Sequence, residues 1–322
     1  MFFLNDIVLL LAFFRFKCIM ANRIEWLDIA KATAIILMVL GHTSIPNSLS
    51  NFIWAFHMPL FFIASGWTTN WKKYSIINFS LTKAKTLLVP FVVYSVIVLA
   101  VQVVMGWNNI SDWFQNGWVA YALWFIPVLY LALFCARLIL AIQVKTMRIL
   151  ALMSLLVVGI LLCRCGVYLP WSLSSVPYAT FMIVLGGKMR LWLSQQMLEP
   201  KWWKILILFF ITFSVSHFWR LDMCFNSILP IIPLTIGALF GTLMVFYISM
   251  LIERNLPMVA NIMTAIGRET YIIVAFSQII IMSINYFHPM NVALKYGLLV
   301  VLLVLLKNIK DVVNKLLKTK IL

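Results

Sequence analysis

Charge is scarce in this chain, and negative charge is scarcest. Asp and Glu number nine against 25 Lys and Arg, and charged residues make up 11% of the 322. A soluble domain is about a quarter charged and about half apolar. Here 64% of residues are hydrophobic and mean hydropathy is +1.03, so much of the surface must face lipid. Cysteine is also sparse: Cys18, Cys135, Cys163, Cys165 and Cys224 form no CxxC and no metal-ligand spacing with histidine. That excludes a disulfide framework or a zinc site read from spacing, and leaves small core residues. There is no Gly-rich linker, no fixed-period repeat and no long polar insert, so one membrane domain is expected rather than two soluble ones. The net charge of +16 is spread over short loops. Without a basic stripe interleaved with aromatics, a nucleic-acid partner is excluded.

What the chain has is long apolar runs. Windows of about 17–25 residues, the length of a spanning helix, fall near 26–45, 50–69, 86–105, 119–142, 147–163, 175–193, 203–219, 227–252, 260–285 and 291–309. The expected fold is an all-α polytopic membrane protein with about ten transmembrane helices. With the amino terminus inside, 22 of the 25 Lys and Arg fall on inside segments, and only Arg164, Arg220 and Lys295 fall outside. The positive-inside rule therefore puts both termini in the cytoplasm. Residues 1–21 are expected to be an amino-terminal extension. Only eight residues separate Asp6 from Arg15, too few for a span of about 20, and Met20 offers a second start. Residues 22–309 form the transmembrane domain. Residues 310–322 form a basic cytoplasmic tail, and the basic run from Lys307 to Lys320 is expected to lie on the inner leaflet.

The ionisable residues inside apolar helices draw attention, because charge at membrane depth is costly and marks function by default. In a regular helix Lys31 and His42 are 1100° apart, about 20° beyond three turns and about 16 Å along the axis. Asp28, three residues before Lys31, joins that stripe. The loop from Thr43 to Asn51 is short and uncharged, so the next helix returns beside the first. His57 then sits about 5–6 Å from the depth of His42. A lone histidine in an apolar helix is commonly a hydrogen-bonded core group. Two at matched depth, on a stripe with Asp28 and Lys31, point instead to proton transfer. His217 and His288 stand alone and read as structural.

The segments LDIAKATAIILMVLGH and FHMPLFFIASG resemble the opening signature of the acyltransferase 3 family, multi-spanning enzymes that acylate exported sugars, such as O-antigen acetylases and fucose 4-O-acetylase-like proteins. KAKTLLVPFVVYS, ALWFIPVLY and IGRETYIIVAF agree with it, and together the resemblance covers most of residues 22–285. The family carries a basic residue, often Arg, eleven positions before the histidine; here it is Lys31. It often has a late histidine after the last segment; here Ser277 and Gln278 stand there.

The resemblance implies an acetyl-CoA-dependent O-acetyltransferase of the bacterial inner membrane. It would move an acyl group from cytoplasmic acyl-CoA to a hydroxyl of a surface polysaccharide or its lipid-linked precursor. His42 would be general base or transient acyl acceptor, His57 its partner, and Asp28 would hold Lys31. Lys72, Lys73, Lys83 and Lys85 would attract the donor's phosphates, although loop lysines equally serve orientation. Trp124 would be a sugar platform or an interface anchor. No metal is implied; the expected partners are the glycan acceptor and the lipid bilayer. Two other readings are a polysaccharide or solute transporter and a non-catalytic partner of a glycan synthesis complex. Transporters often show inverted repeats and paired broken helices, and none is legible. The external pair Arg220 and Asp222 reads as a solvated ion pair or an acceptor contact.

Overall fold

A backbone crossing lipid has no water to pair with, so it must satisfy its own N–H and C=O groups, and helices do so within one segment. The computed structural model describes residues 24–43, 45–107, 121–196, 199–287 and 291–316. The expected extension 1–21, Cys18, His288, Lys318 and Lys320 lie outside the described residues. The elements are α1 (Glu25–Gly41), α2 (Asn47–Thr68), α3 (Ile76–Lys83) and α4 (Val89–Val104); then α5 (Phe125–Ala141), α6 (Lys145–Arg164), α7 (Val176–Gln196) and α8 (Trp202–Phe218); then α9 (Ile231–Asn255), α10 (Pro257–Arg268), α11 (Thr270–Phe287) and α12 (Val292–Leu316). Among the described residues the one extended pairing is a bridge between Asp222 and Ser227.

Each apolar window holds a helix. Among the described residues six are long and apolar enough to cross a membrane: Asn47–Thr68, Ile76–Val104, Tyr121–Ala141, Lys145–Arg164, Ile231–Asn255 and Thr270–Phe287. The chain is thus a multi-pass, all-α membrane protein. One window differs from expectation. The run near 260–285 breaks at Glu269 into α10 and α11, and α10 lies across α1. Gly267 makes this crossing possible: a Cβ there would sit 1.9 Å from the Asp28 carbonyl oxygen. α12 runs unbroken through Leu316, and Lys310 pairs with Glu269 at 2.5 Å, which ties the helix to the start of α11.

α3 and α4 are one rod joined through a π turn at Ala84–Leu88. Pro90 lacks an N–H and crowds the carbonyl one turn back, and a π turn accommodates that mismatch. The Tyr271 hydroxyl donates to the Leu87 carbonyl at 2.6 Å, satisfying a backbone acceptor in the loosened turn.

α2 is the central helix. It packs against α7, α9, α1 and α8 and is largely buried, whereas α6 has only Gly159 buried and is otherwise half-buried or exposed. The contact of α2 with α7 is unusually close and reciprocal. A Cβ on Gly66 would lie 1.9 Å from the Ile183 carbonyl oxygen, and one on Gly186 would lie 2.1 Å from that of Ile63. Small residues let membrane helices approach and gain packing where water supplies no drive. At the end of α2 an aromatic triangle of Trp26, Trp67 and Phe246 locks α1, α2 and α9, with ring centroids 5.1–5.8 Å apart.

Candidate active site

Two polar centres sit at opposite ends of α1. At the first, Lys31 Nζ donates to Asp28 Oδ1 at 2.7 Å. The one-turn spacing on a helix brings such side chains together. The Asp28 side chain is 2% exposed and that of Lys31 25%, so the carboxylate is inside the protein and its partner reaches toward the edge. The crossing of α10 over Asp28 supplies that burial.

At the second centre stand the two histidines. His42 follows the last residue of α1, and His57 is in the middle of α2, 2% exposed. His42 Nδ1 lies 2.7 Å from the Met38 carbonyl oxygen, and His57 Nδ1 lies 2.9 Å from that of Ile53. A carbonyl can only accept, so each Nδ1 carries the proton, and the neutral ring keeps its lone pair on Nε2. Both rings are oriented by their own helix, and no hydrogen bond joins them among the described residues. Trp54 stands against both instead, its ring centroid 5.4 Å from that of His42 and 5.3 Å from that of His57. Gly41 lies beside it, with room for a Cβ in ordinary contact 3.5 Å from Trp54 Nε1. That indole nitrogen is buried and has no hydrogen-bond acceptor among the described residues.

The loop between α8 and α9 completes this centre. Arg220 places its guanidinium 4.3 Å from the centroid of Trp54, and its charge reaches both histidines. Asp222 acts electrostatically on His42. Its Oδ1 accepts from the backbone N–H of Cys224 at 3.0 Å and of Phe225 at 3.4 Å. Burial pushes the Asp222 carboxyl above its usual range, opposed by the Phe225 N–H and the Arg220 charge. Burial also pushes the neighbouring Cys224 thiol up to about 12, which leaves it protonated and unreactive.

The remaining candidates lie apart from the histidines. Lys72, Lys73 and Lys85 are exposed at the end of the bundle that carries Lys31. Lys73 Nζ lies 5.0 Å from the Tyr74 ring, and Lys83 Nζ 5.8 Å from that of Phe79. Two arginines join them: Arg137 donates to the Tyr74 carbonyl and Arg190 to that of Trp67, each at 3.1 Å. Trp124 is 6% exposed and packs edge-on against Phe125, in the core rather than at a surface. Along the neighbouring flank of α1 runs an apolar cavity of about 260 Å³ between α10, α11 and α12, with Glu269 and Lys307 at its polar end. Among the described residues no group of three His, Cys, Asp or Glu could hold a metal.

Sequence reasoning brought Asp28, Lys31, His42 and His57 forward but passed over Trp54. It sits three residues before His57 on the same helix face, which was a usable signal. Arg220 is 178 positions from His42 and gave none beyond its location in an external loop.

Comparison with known families finds one sequence model, described as an acyltransferase domain, that matches residues 24–307. No curated protein and no solved structure matches the chain significantly.

Proposed function

Given that the chain belongs to the acyltransferase 3 family, whose model spans nearly all of it, we propose that it is an integral membrane O-acetyltransferase acting on a surface glycan. The donor is cytoplasmic acetyl-CoA, and the acceptor is a hydroxyl of a polysaccharide or its lipid-linked precursor. In this reading ten helices span the bacterial inner membrane, with both termini and the lysine-rich end in the cytoplasm and the His42 end outside.

One observation carries the assignment: His42 is held by the Met38 carbonyl at the exposed end of α1, with no hydrogen bond to Nε2 among the described residues. A general base needs an unprotonated nitrogen fixed in direction. Nε2 accepts the sugar hydroxyl proton as the oxygen attacks the thioester carbonyl carbon. The C–S bond breaks, and the departing thiolate takes a proton from the imidazolium. His42 can alternatively take the acyl group itself and pass it on. Trp54 stands against the imidazole, and His57 lies against the same indole. Lys72, Lys73, Lys83 and Lys85, with Arg137 and Arg190, offer charge to the donor's phosphates. Asp28 holds Lys31 at the lysine-rich end.

The test is to express the chain and His42→Ala in cells lacking the native gene and measure ester-linked acetyl groups on extracted surface glycan by mass spectrometry. Acetylation should vanish in the variant. Equal acetylation would remove His42 from the mechanism and favour a transporter or scaffold.

A further inference from the structure

The guanidinium of Arg220 is better placed than an orientation charge or a solvated ion pair requires. It lies over the Trp54 ring at 4.3 Å, well inside the range for a cation on an aromatic face. The same indole contacts both His42 and His57, so Arg220 is no farther from either imidazole than two adjacent ring spacings. Its position is built in by the loop that carries it. Leu221, Met223 and Ile228 are each at most 2% exposed. Asp222 and Ser227 exchange backbone hydrogen bonds at 3.1 and 2.8 Å, and the Ser175 hydroxyl bonds the Met223 carbonyl from the facing loop. Arg220 itself stays open to solvent on this pinned loop.

Its donors are unspent. Among the described residues no ion pair or hydrogen bond engages the guanidinium. The nearby Asp222 carboxylate is turned into its own loop by Cys224 and Phe225. A fixed cation beside two imidazoles also costs repulsion whenever either ring takes a proton. An anion on the open side of the guanidinium removes that cost, and the planar fork suits a two-oxygen partner.

Resting on the assignment of His42 as the acyl-transfer base, we propose that Arg220 and Trp54 form an acceptor subsite for an oxyanion of the glycan, with the sugar ring seated on the indole edge. The oxyanion is either the carboxylate of an acidic sugar or the phosphate joining a sugar to its lipid, and it lies within one or two sugar units of the reacting hydroxyl. Arg220 is then a specificity residue, and the substrate class is an anionic glycan.

Binding tests this without turnover. The full chain in lipid nanodiscs is titrated with glucuronate, glucose 1-phosphate and glucose, using saturation-transfer nuclear magnetic resonance. At least one acid should bind tenfold or more tightly than glucose. Arg220→Gln should erase the preference, Arg220→Lys should keep part of it, and His42→Ala should leave it intact. A response to glucuronate alone assigns an acidic sugar; a response to glucose 1-phosphate alone assigns a lipid-linked phosphate. Absence of binding by both acids overturns the proposal, as does a preference that survives in Arg220→Gln with an unchanged melting temperature. Loss of acetylation in His42→Ala is read separately on extracted glycan, so the subsite and the mechanism fail independently.

Discussion

Asp28 and Lys31 form an ion pair at 2.7 Å in which the acid is buried and the base reaches outward. Removing the cation takes an ion-pair partner from a carboxylate that α10 covers. Lys31→Met should therefore destabilise the protein by about 1–3 kcal/mol, discounted from the range for fully buried pairs because Lys31 is partly exposed. Lys31→Arg should keep most stability. Thermal melting in detergent reads both, and a Lys31→Met protein as stable as wild type would show that the pair is not structural.

The two imidazoles differ in exposure, and their variants should differ accordingly. His42→Ala should abolish acetyl transfer while leaving the fold intact. His57→Ala should lower both activity and melting temperature, because it opens a hole at a site 2% exposed and cavities cost in proportion to their volume. Glycan acetylation and melting curves on the same preparations separate the two effects.

Helix contact through Gly66 and Gly186 leaves no room for a methyl group. Gly66→Ala should destabilise by about 3 kcal/mol or more, since the Cβ would meet backbone rather than a flexible side chain. Gly297 has no atom within 4 Å of an added Cβ, so Gly297→Ala should be neutral or slightly stabilising through helix propensity. Comparable losses at both glycines would refute the close-contact explanation.

Burial raises the Asp222 carboxyl, so the folded protein holds that proton more tightly than the unfolded chain. Stability from this group is complete at pH below the unfolded value and is lost as pH rises through the folded one. Asp222→Asn should therefore gain melting temperature relative to wild type at pH 7–8, with the gap closing toward pH 4. A constant gap across that range would assign the effect to packing instead.

Neutralising Lys72, Lys73, Lys83 and Lys85 together should raise KM for acetyl-CoA several-fold with kcat nearly unchanged, and added salt should shrink the difference through screening. Unchanged KM would return these lysines to an orientation role.

Hydrophobic window length determined that this chain is a bundle of membrane helices, and helical spacing alone placed Asp28, Lys31 and His42 on one stripe. Both are local properties: lipid demands self-paired backbone, and 3.6 residues per turn fixes which side chains share a face. The break of the 260–285 window was not legible, because it depends on Gly267 meeting the backbone of a helix more than 200 positions earlier. Nor was the burial of Trp124, whose aromatic character suits an interface as well as a core. The shape of the histidine centre was decided only by tertiary packing. Trp54, on α2 three residues before His57, reaches the His42 ring at the end of α1. Arg220 reaches Trp54 because a loop pinned by buried Leu221, Met223 and Ile228 returns over it, and no periodicity in a sequence records how a distant loop comes back.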